Sequence, residues 1–485
     1  MTISIFRNPK SQLLSYVVVA AGVFIYILIR ALNVGITYDE AWTINGFVHR
    51  PVMDLINYTP SDANHHLLNT LLIKLSFGIG GGESVFLARI PNLLGGILFL
   101  VFATRICREF LSFFVGFGLF LAFVLNPFML DFFGLARGYG LSVAFETVSI
   151  YYLLRYIRDH KGTFATLSLV FGGIAVLANF TLLTYFIALF GILFLLPLVY
   201  RSLYNNRKQL IWNGLVLLGL TALIYEPVRK LNKNDNLWYG GGSGFYDDTV
   251  YSLAKYTCYS PDETPAILLG LKVMLLLAAT AFIAAIIYRR TLHSQARILL
   301  IILLLCCTGI ILQHQLLGTL FVIDRAALYL LPLFVLAMAF SLEELKEKLI
   351  TKICVPVIAL FFVVNFSVHA NTYKTALWFF DAHTEKVLAE LHRRAKRSDH
   401  PIRVEYSWPY HAILSYYKEA YASPNLQIIE PGVVDSTITP DYYVYLSRPI
   451  YGGYNTDSDR SRKMKKQVVL SYPREHVVLY KIKKD

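Results

Sequence analysis

Two adjacent carboxylates, Asp39 and Glu40, occupy the stretch "GITYDEAWT" directly after a long apolar run. A carboxylate held in place can take the proton of an attacking hydroxyl. Acids at the mouth of a membrane segment are therefore candidates for general-base work. The competing structural reading is a helix start, because acids favour the first turn and Thr37 has the right side chain to cap it. The chain continues with Trp42, Asn45 and His49, and then "SDANHHLLNTLLIKL" adds Asn64, His65, His66, Asn69 and Lys74. His65 and His66 read either as polar caps of the following helix or as site residues. Neighbouring histidines do not share one helix face, which argues against a structural metal. The co-occurrence of acids, paired histidines and a lysine in one segment favours a site.

The elements that must carry these residues are membrane helices. Of 485 residues 56% are hydrophobic and only 16% charged, where a soluble chain carries about a quarter. The net charge of +13 is spread between apolar segments as orientation signals are and forms no basic stripe for nucleic acid. Apolar runs recur near residues 13–32, 85–104, 111–130, 139–157, 164–180, 182–200, 210–227, 265–288, 297–313, 316–340 and 353–371, about eleven transmembrane helices at the ~20-residue crossing length. No small-residue cleavage site follows the first run, which reads as a retained helix. Arg105 with Arg108, Arg155 with Arg158 and Lys161, Arg201 with Arg207 and Lys208, and Arg289 with Arg290 and Arg297 fall in alternate loops. Those loops and the N-terminus, with Arg7 and Lys10, are expected in the cytoplasm of a plasma (inner) membrane protein, and an odd helix count puts the C-terminus outside.

The outer side then holds the loop of residues 34–84, the turn "LDFFGLARGYG", the stretch 226–265 and the tail. Leu67, Leu68, Leu71, Leu72 and Leu75 form one helical face too short to span, as in a helix lying in the interface. In the tail, "TEKVLAELHRRAKR" and "YHAILSYYKEAY" read as helices, and "IRVEYSW", "DYYVYLS" and "HVVLYKI" as strands. The expected architecture is a polytopic all-α membrane domain, residues 1–371, followed by an extracytoplasmic soluble α/β domain, residues 372–485. Five cysteines without metal-ligand spacing suggest no disulfide framework. "GIGGGES" and "YGGGSG" lack the Lys-Ser/Thr of a phosphate loop and read as flexible loops. His314 reads as a satisfied polar residue at an outer helix end.

One transmembrane helix, an acidic pair opening a long outer loop, and a His-containing segment leading into an interfacial helix resemble the GT-C superfamily of glycosyltransferases, in particular the protein O-mannosyltransferase-like enzymes and the lipid A aminoarabinose transferase. "LARGYGLS" is similar to their Arg-x-Tyr stretch, and "DRAALYLLPLFVLAM" to their "RYLLPLLP" helix. The chain departs from them with "HHLL" in place of "HPPL" and with Arg325-Ala326 in place of Arg-Tyr. The resemblance implies transfer of a sugar from a polyprenyl-phosphate donor to an acceptor hydroxyl on the outer face, with inversion. It casts Asp39 as base and Glu40 as an accompanying acid. Lys74, Arg137 and Arg325 become the donor-phosphate cations, and Asn64, His65, His66 and Tyr139 the substrate contacts. Fixed cations or a divalent cation would offset the leaving phosphate. The acceptor could be a glycan, a lipid or a protein.

Each cation also has a plain reading as a side chain snorkelling at a helix end. Two other functions compete: a transporter or flippase of lipid-linked glycans, and a non-catalytic subunit of a glycan assembly complex. Transporters place charges near the midplane. Here the apolar runs are nearly free of charge, Glu146 being a main exception, which favours the enzyme.

Overall fold

In a computed structural model of the chain, helices stand where the apolar runs predict them. The structure describes residues 8–199, 207–234, 240–259, 294–421, 425–429, 439–447 and 464–483, with residues 279, 282 and 283. The expected helix at 265–288 lies almost wholly outside the described residues, as do Arg201, Arg289 and Arg290. The others appear as Pro9–Asn33, Val85–Phe110, Phe113–Val124, Gly138–Asp159, Gly162–Ala178, Leu183–Val199, Arg207–Lys233, Gln295–Leu317, Leu330–Glu344 and Leu349–His369. Six helices among the described residues are long and apolar enough to cross a membrane, so the chain is built as a multi-pass membrane protein.

Two runs are shorter as helices than as apolar stretches. The run 111–130 breaks after Val124 because Pro127 disfavours helix at the preceding residue. Asn126 caps a separate helix, Pro127–Asp131, by accepting from the Met129 amide. The run 316–340 breaks at Gly318, whose φ of 66° ends one helix, and the two-residue strand Phe321–Val322 intervenes before Leu330.

Packing divides the chain into two units, residues 1–31 with 51–370, and residues 32–50 with 371–485. In the first, Gly138–Asp159 is buried along most of its length against Gly162–Ala178 and Val85–Phe110. Pro9–Asn33 and Leu349–His369 instead expose Leu14, Val18, Ile25, Leu360 and Val368, the surface that a hydrocarbon solvent accepts. A buried ion pair joins the first helix to the turn after Pro127: Arg30 Nη2 lies 2.5 Å from Asp131 Oδ1, and Tyr259 Oη donates to the same carboxylate at 3.0 Å.

The second unit holds a five-stranded sheet. Leu426–Ile429, Ile402–Tyr406 and Tyr442–Leu446 run parallel in that order, followed by Val477–Ile482 and Lys466–Tyr472 as antiparallel additions. Thr384–Ala395 and His411–Tyr421 are its helices. The short segment Leu32–Arg50 belongs to this unit.

Candidate active site

Asp39 lies on the six-residue helix Tyr38–Thr43, whose start is built by its own sequence. Thr37 accepts from the Glu40 amide at 3.4 Å, and Glu40 Oε2 accepts from the Thr37 amide at 2.9 Å, a capping box. The amide between them, Tyr38, donates to Asp381 Oδ2 at 2.8 Å. The acid pair therefore divides its labour. Glu40, fully buried, shapes the turn, and Asp39 is the neighbouring carboxylate that the turn presents, itself only 6% exposed.

Asp381 was not among the sequence candidates. It sits in the short turn Phe379–Asp381 and is buried. Burial, reinforced by the nearby charges of Asp39 and Glu40, pushes its carboxyl well above the ordinary range, against the pull of the Tyr38 amide. Two like charges beside a third seldom all ionise. Asp381 therefore anchors the helix start.

The other predicted residues lie in the first unit. The helix expected to lie in the interface runs from Leu67 to Gly80, and His66 stands at its N-cap without capping it. The His66 Nδ1 is 3.1 Å from the Ala178 carbonyl, and its ring meets Tyr139 edge-on at 4.7 Å. The His65 ring lies tilted against Tyr58, centroids 4.4 Å apart. Arg137, 1% exposed, donates to the Asn64 carbonyl at 3.0 Å and lies 5.8 Å from the Tyr139 ring centroid. Asn64, His65, His66, Arg137 and Tyr139 thus come together. Gly138 makes this possible: a Cβ there would run into the Ala178 carbonyl and stand 2.8 Å from His66 Cβ. Asn69 fixes the helix to the turn by donating to the Ala136 carbonyl at 2.9 Å, and Asn92 donates to Asn69 at 2.7 Å.

Burial and the Arg137 charge hold His65 down to about 4, and the same causes, with His65 itself and Arg325, hold His66 well below 6.5. Both imidazoles are neutral at neutral pH. They line the site without competing with Arg137 for an anion.

Arg325 lies half-buried in the turn Asp324–Ala327. Its neighbour Asp324 is buried with φ of 48°, its amide donates to Ser252, and burial raises its carboxyl to about 6. The glycine-rich stretch read as a flexible loop is ordered in part: Gly240–Gly241 pairs with Phe321–Val322, just before this turn. Asp248 holds it by accepting from the Ser243 and Gly244 amides at 2.7 and 2.8 Å. Lys74 is half-buried on the interfacial helix, about two turns beyond His66. His314 has its Nδ1 2.7 Å from the Thr319 carbonyl. Among the described residues no group of three or more His, Cys, Asp or Glu is placed to hold a metal ion.

Against solved structures, the crystal structure of ArnT from Cupriavidus metallidurans bound to undecaprenyl phosphate superposes with a TM-score of 0.54, covering 96% of this chain and 97% of that one at 12% identity. The chain shares the fold of ArnT. The arabinosyltransferase EmbB from Mycobacterium smegmatis matches more loosely, at TM-score 0.40 and 12% identity, over 67% of this chain and 30% of that one. No protein-family model and no curated protein sequence matches the chain. The residues that sequence alone had not singled out join distant segments: Arg30 with Asp131, Asn92, which donates to Asn69, and Asp381, which accepts from Tyr38. Their only sequence signal is polarity within or beside apolar stretches.

Proposed function

We propose that the chain is an integral membrane glycosyltransferase that moves a sugar from a polyprenyl-phosphate donor to an acceptor hydroxyl on the outer face of the membrane, with inversion. The observation that carries the reading is the division of chemistry between two built sites on a GT-C fold. One presents a buried carboxylate on a fixed helix start, and the other gathers Arg137 with neutral histidines and Tyr139.

Asp39 accepts the acceptor's hydroxyl proton as its oxygen bonds to the anomeric carbon. The bond from that carbon to the phosphate oxygen breaks on the opposite face, and the leaving polyprenyl phosphate carries the electron pair. Arg137 supplies planar, charge-assisted donors for phosphate oxygens, and Lys74 and Arg325 add positive charge. Asn64, His65, His66 and Tyr139 line the donor side. Glu40 and Asp381 are positioning residues. On this reading the N-terminus is cytoplasmic and residues 372–485 form the outer domain.

The test is single-turnover transfer by Asp39→Asn with saturating polyprenyl-phosphate sugar, reading released polyprenyl phosphate by mass spectrometry. A loss of about 10²-fold or more is expected, the usual worth of a positioned base, with donor binding retained. Turnover near that of the wild type would remove Asp39 from the chemistry.

A further inference from the structure

Beside Asp39 the second unit carries a row of aromatic rings that the catalytic assignment does not use. Tyr38 and Trp42, one helical turn apart, stack with centroids 6.0 Å apart and planes 16° from parallel. Trp408, which opens the turn after the strand Ile402–Tyr406, places its ring 5.5 Å from Tyr38. His411 lies 6.4 Å from Trp42 and is held by Tyr406, whose hydroxyl is 2.7 Å from its Nδ1. The row thus runs Trp408, Tyr38, Trp42, His411. Asp39 directly follows Tyr38 and lies three residues before Trp42, spacings that make Asp39 and Trp42 neighbours on the helix surface. Asn45, three residues beyond Trp42, is exposed and donates to the Ala412 carbonyl at 3.1 Å.

The row is not closed over. Tyr38 and Trp42 are half-buried, and Trp408 is 65% exposed. Aromatic residues gathered at a membrane surface often form an interfacial belt, but a belt sits among other lipid-facing side chains. The second unit does not offer such a face. Its exposed large apolar residues, among those described, are Leu32, Tyr373, Trp408 and Val468, while the many others belong to the first unit. An indole this exposed, continuous with stacked rings and fringed by polar groups, matches a ligand with an apolar face and a polar rim. A sugar ring is such a ligand. Its C–H face carries slight positive charge, which the negative face of an aromatic ring attracts, while its hydroxyls need polar partners at the edge.

We propose that Tyr38, Trp42, Trp408 and His411 form a carbohydrate subsite for the acceptor, which makes the acceptor a glycan or a glycan-bearing molecule. The inference rests on the glycosyltransferase reading and deepens it by naming the acceptor class. Stacking on Trp408, the open end of the row, would hold an acceptor sugar with one hydroxyl directed toward Asp39. Trp408 is then a binding residue and Asp39 the chemical one, so their variants must fail differently.

The test is a glycan array of hexose, pentose and amino-sugar oligosaccharides probed with the purified full chain in detergent. Wild type should retain a defined subset, Trp408→Ala should bind that subset at least tenfold more weakly, and Trp408→Phe should recover part of the loss. Asp39→Asn should bind as wild type does. The thermal unfolding midpoint of Trp408→Ala should match the wild type, since the side chain is mostly exposed. No glycan retained by the wild type, or Trp408→Ala binding undiminished, overturns the subsite. Retention of glycans by a chain that releases no polyprenyl phosphate from any donor would instead overturn the transferase reading and leave the subsite standing.

Discussion

At the scale of single residues, the acids are distinguished by what surrounds each one. Asp324 is the simplest to test by pH. Its carboxyl titrates at about 6 in the folded protein instead of 3.8, so folding disfavours the ionised form. That penalty is absent near pH 4, grows as the pH rises and is complete above about 6. Asp324→Asn keeps the shape and tolerates positive φ. It should raise stability by on the order of 1–3 kcal/mol above pH 6 and make no difference near pH 4. Thermal unfolding at the two pH values reads this directly, and an equal gain at both would remove charge from the explanation. Asp381 calls for a pair of variants. Asp381→Asn keeps an oxygen for the Tyr38 amide and should hold kcat within a few-fold, while Asp381→Leu leaves that amide buried without its acceptor and should lower kcat at least tenfold with KM little changed. Equal damage by both would assign Asp381 more than anchoring. The candidate site was legible in sequence where chemistry is local: Asp39 follows a membrane helix, and Asn64, His65 and His66 are consecutive. Asp381 was illegible because its partner lies 343 residues away and "WFFDAH" carries no pattern that points there.

At the scale of elements, periodicity told helix from strand but not where an apolar run would break. The helix ends at Val124 and Leu317 depend on Asn126, Pro127 and Gly318, local breakers inside otherwise continuous apolar stretches. Two strands of the sheet, Leu426–Ile429 and Lys466–Tyr472, were not read from sequence, the first being only four residues long and the second mostly polar or exposed. The junction of the interfacial helix with Gly138–Asp159 yields a sharper prediction. Gly138→Ala has no room beside His66 and the Ala178 carbonyl, so the Arg137–Tyr139 segment must move. Affinity for undecaprenyl phosphate should fall at least tenfold, as measured by a direct binding assay. Gly22→Ala, which meets nothing within 4 Å on the first helix, is the control and should bind normally. Retained affinity in Gly138→Ala would mean that this junction does not position the phosphate cations.

At the scale of the whole molecule, the distribution of basic residues sets the expected orientation. Cysteines introduced at Arg158 and Lys208 should react with a membrane-impermeant maleimide only from the cytoplasmic side, and labelling of either from outside would put Asp39 on the wrong face. The composition of the second unit has a further consequence, for biosynthesis. Leu32–Arg50 leaves the ribosome early, yet the segments it packs with begin at Asn371. At roughly 5–20 residues per second, the stretch bearing Asp39 waits about 17–70 s for Asp381 to be made. During that interval the membrane helices can insert while the Tyr38 amide lacks its acceptor. The turn that presents Asp39 is therefore completed late, and a ribosome that stalls before Asn371 leaves the Tyr38 amide without its Asp381 acceptor.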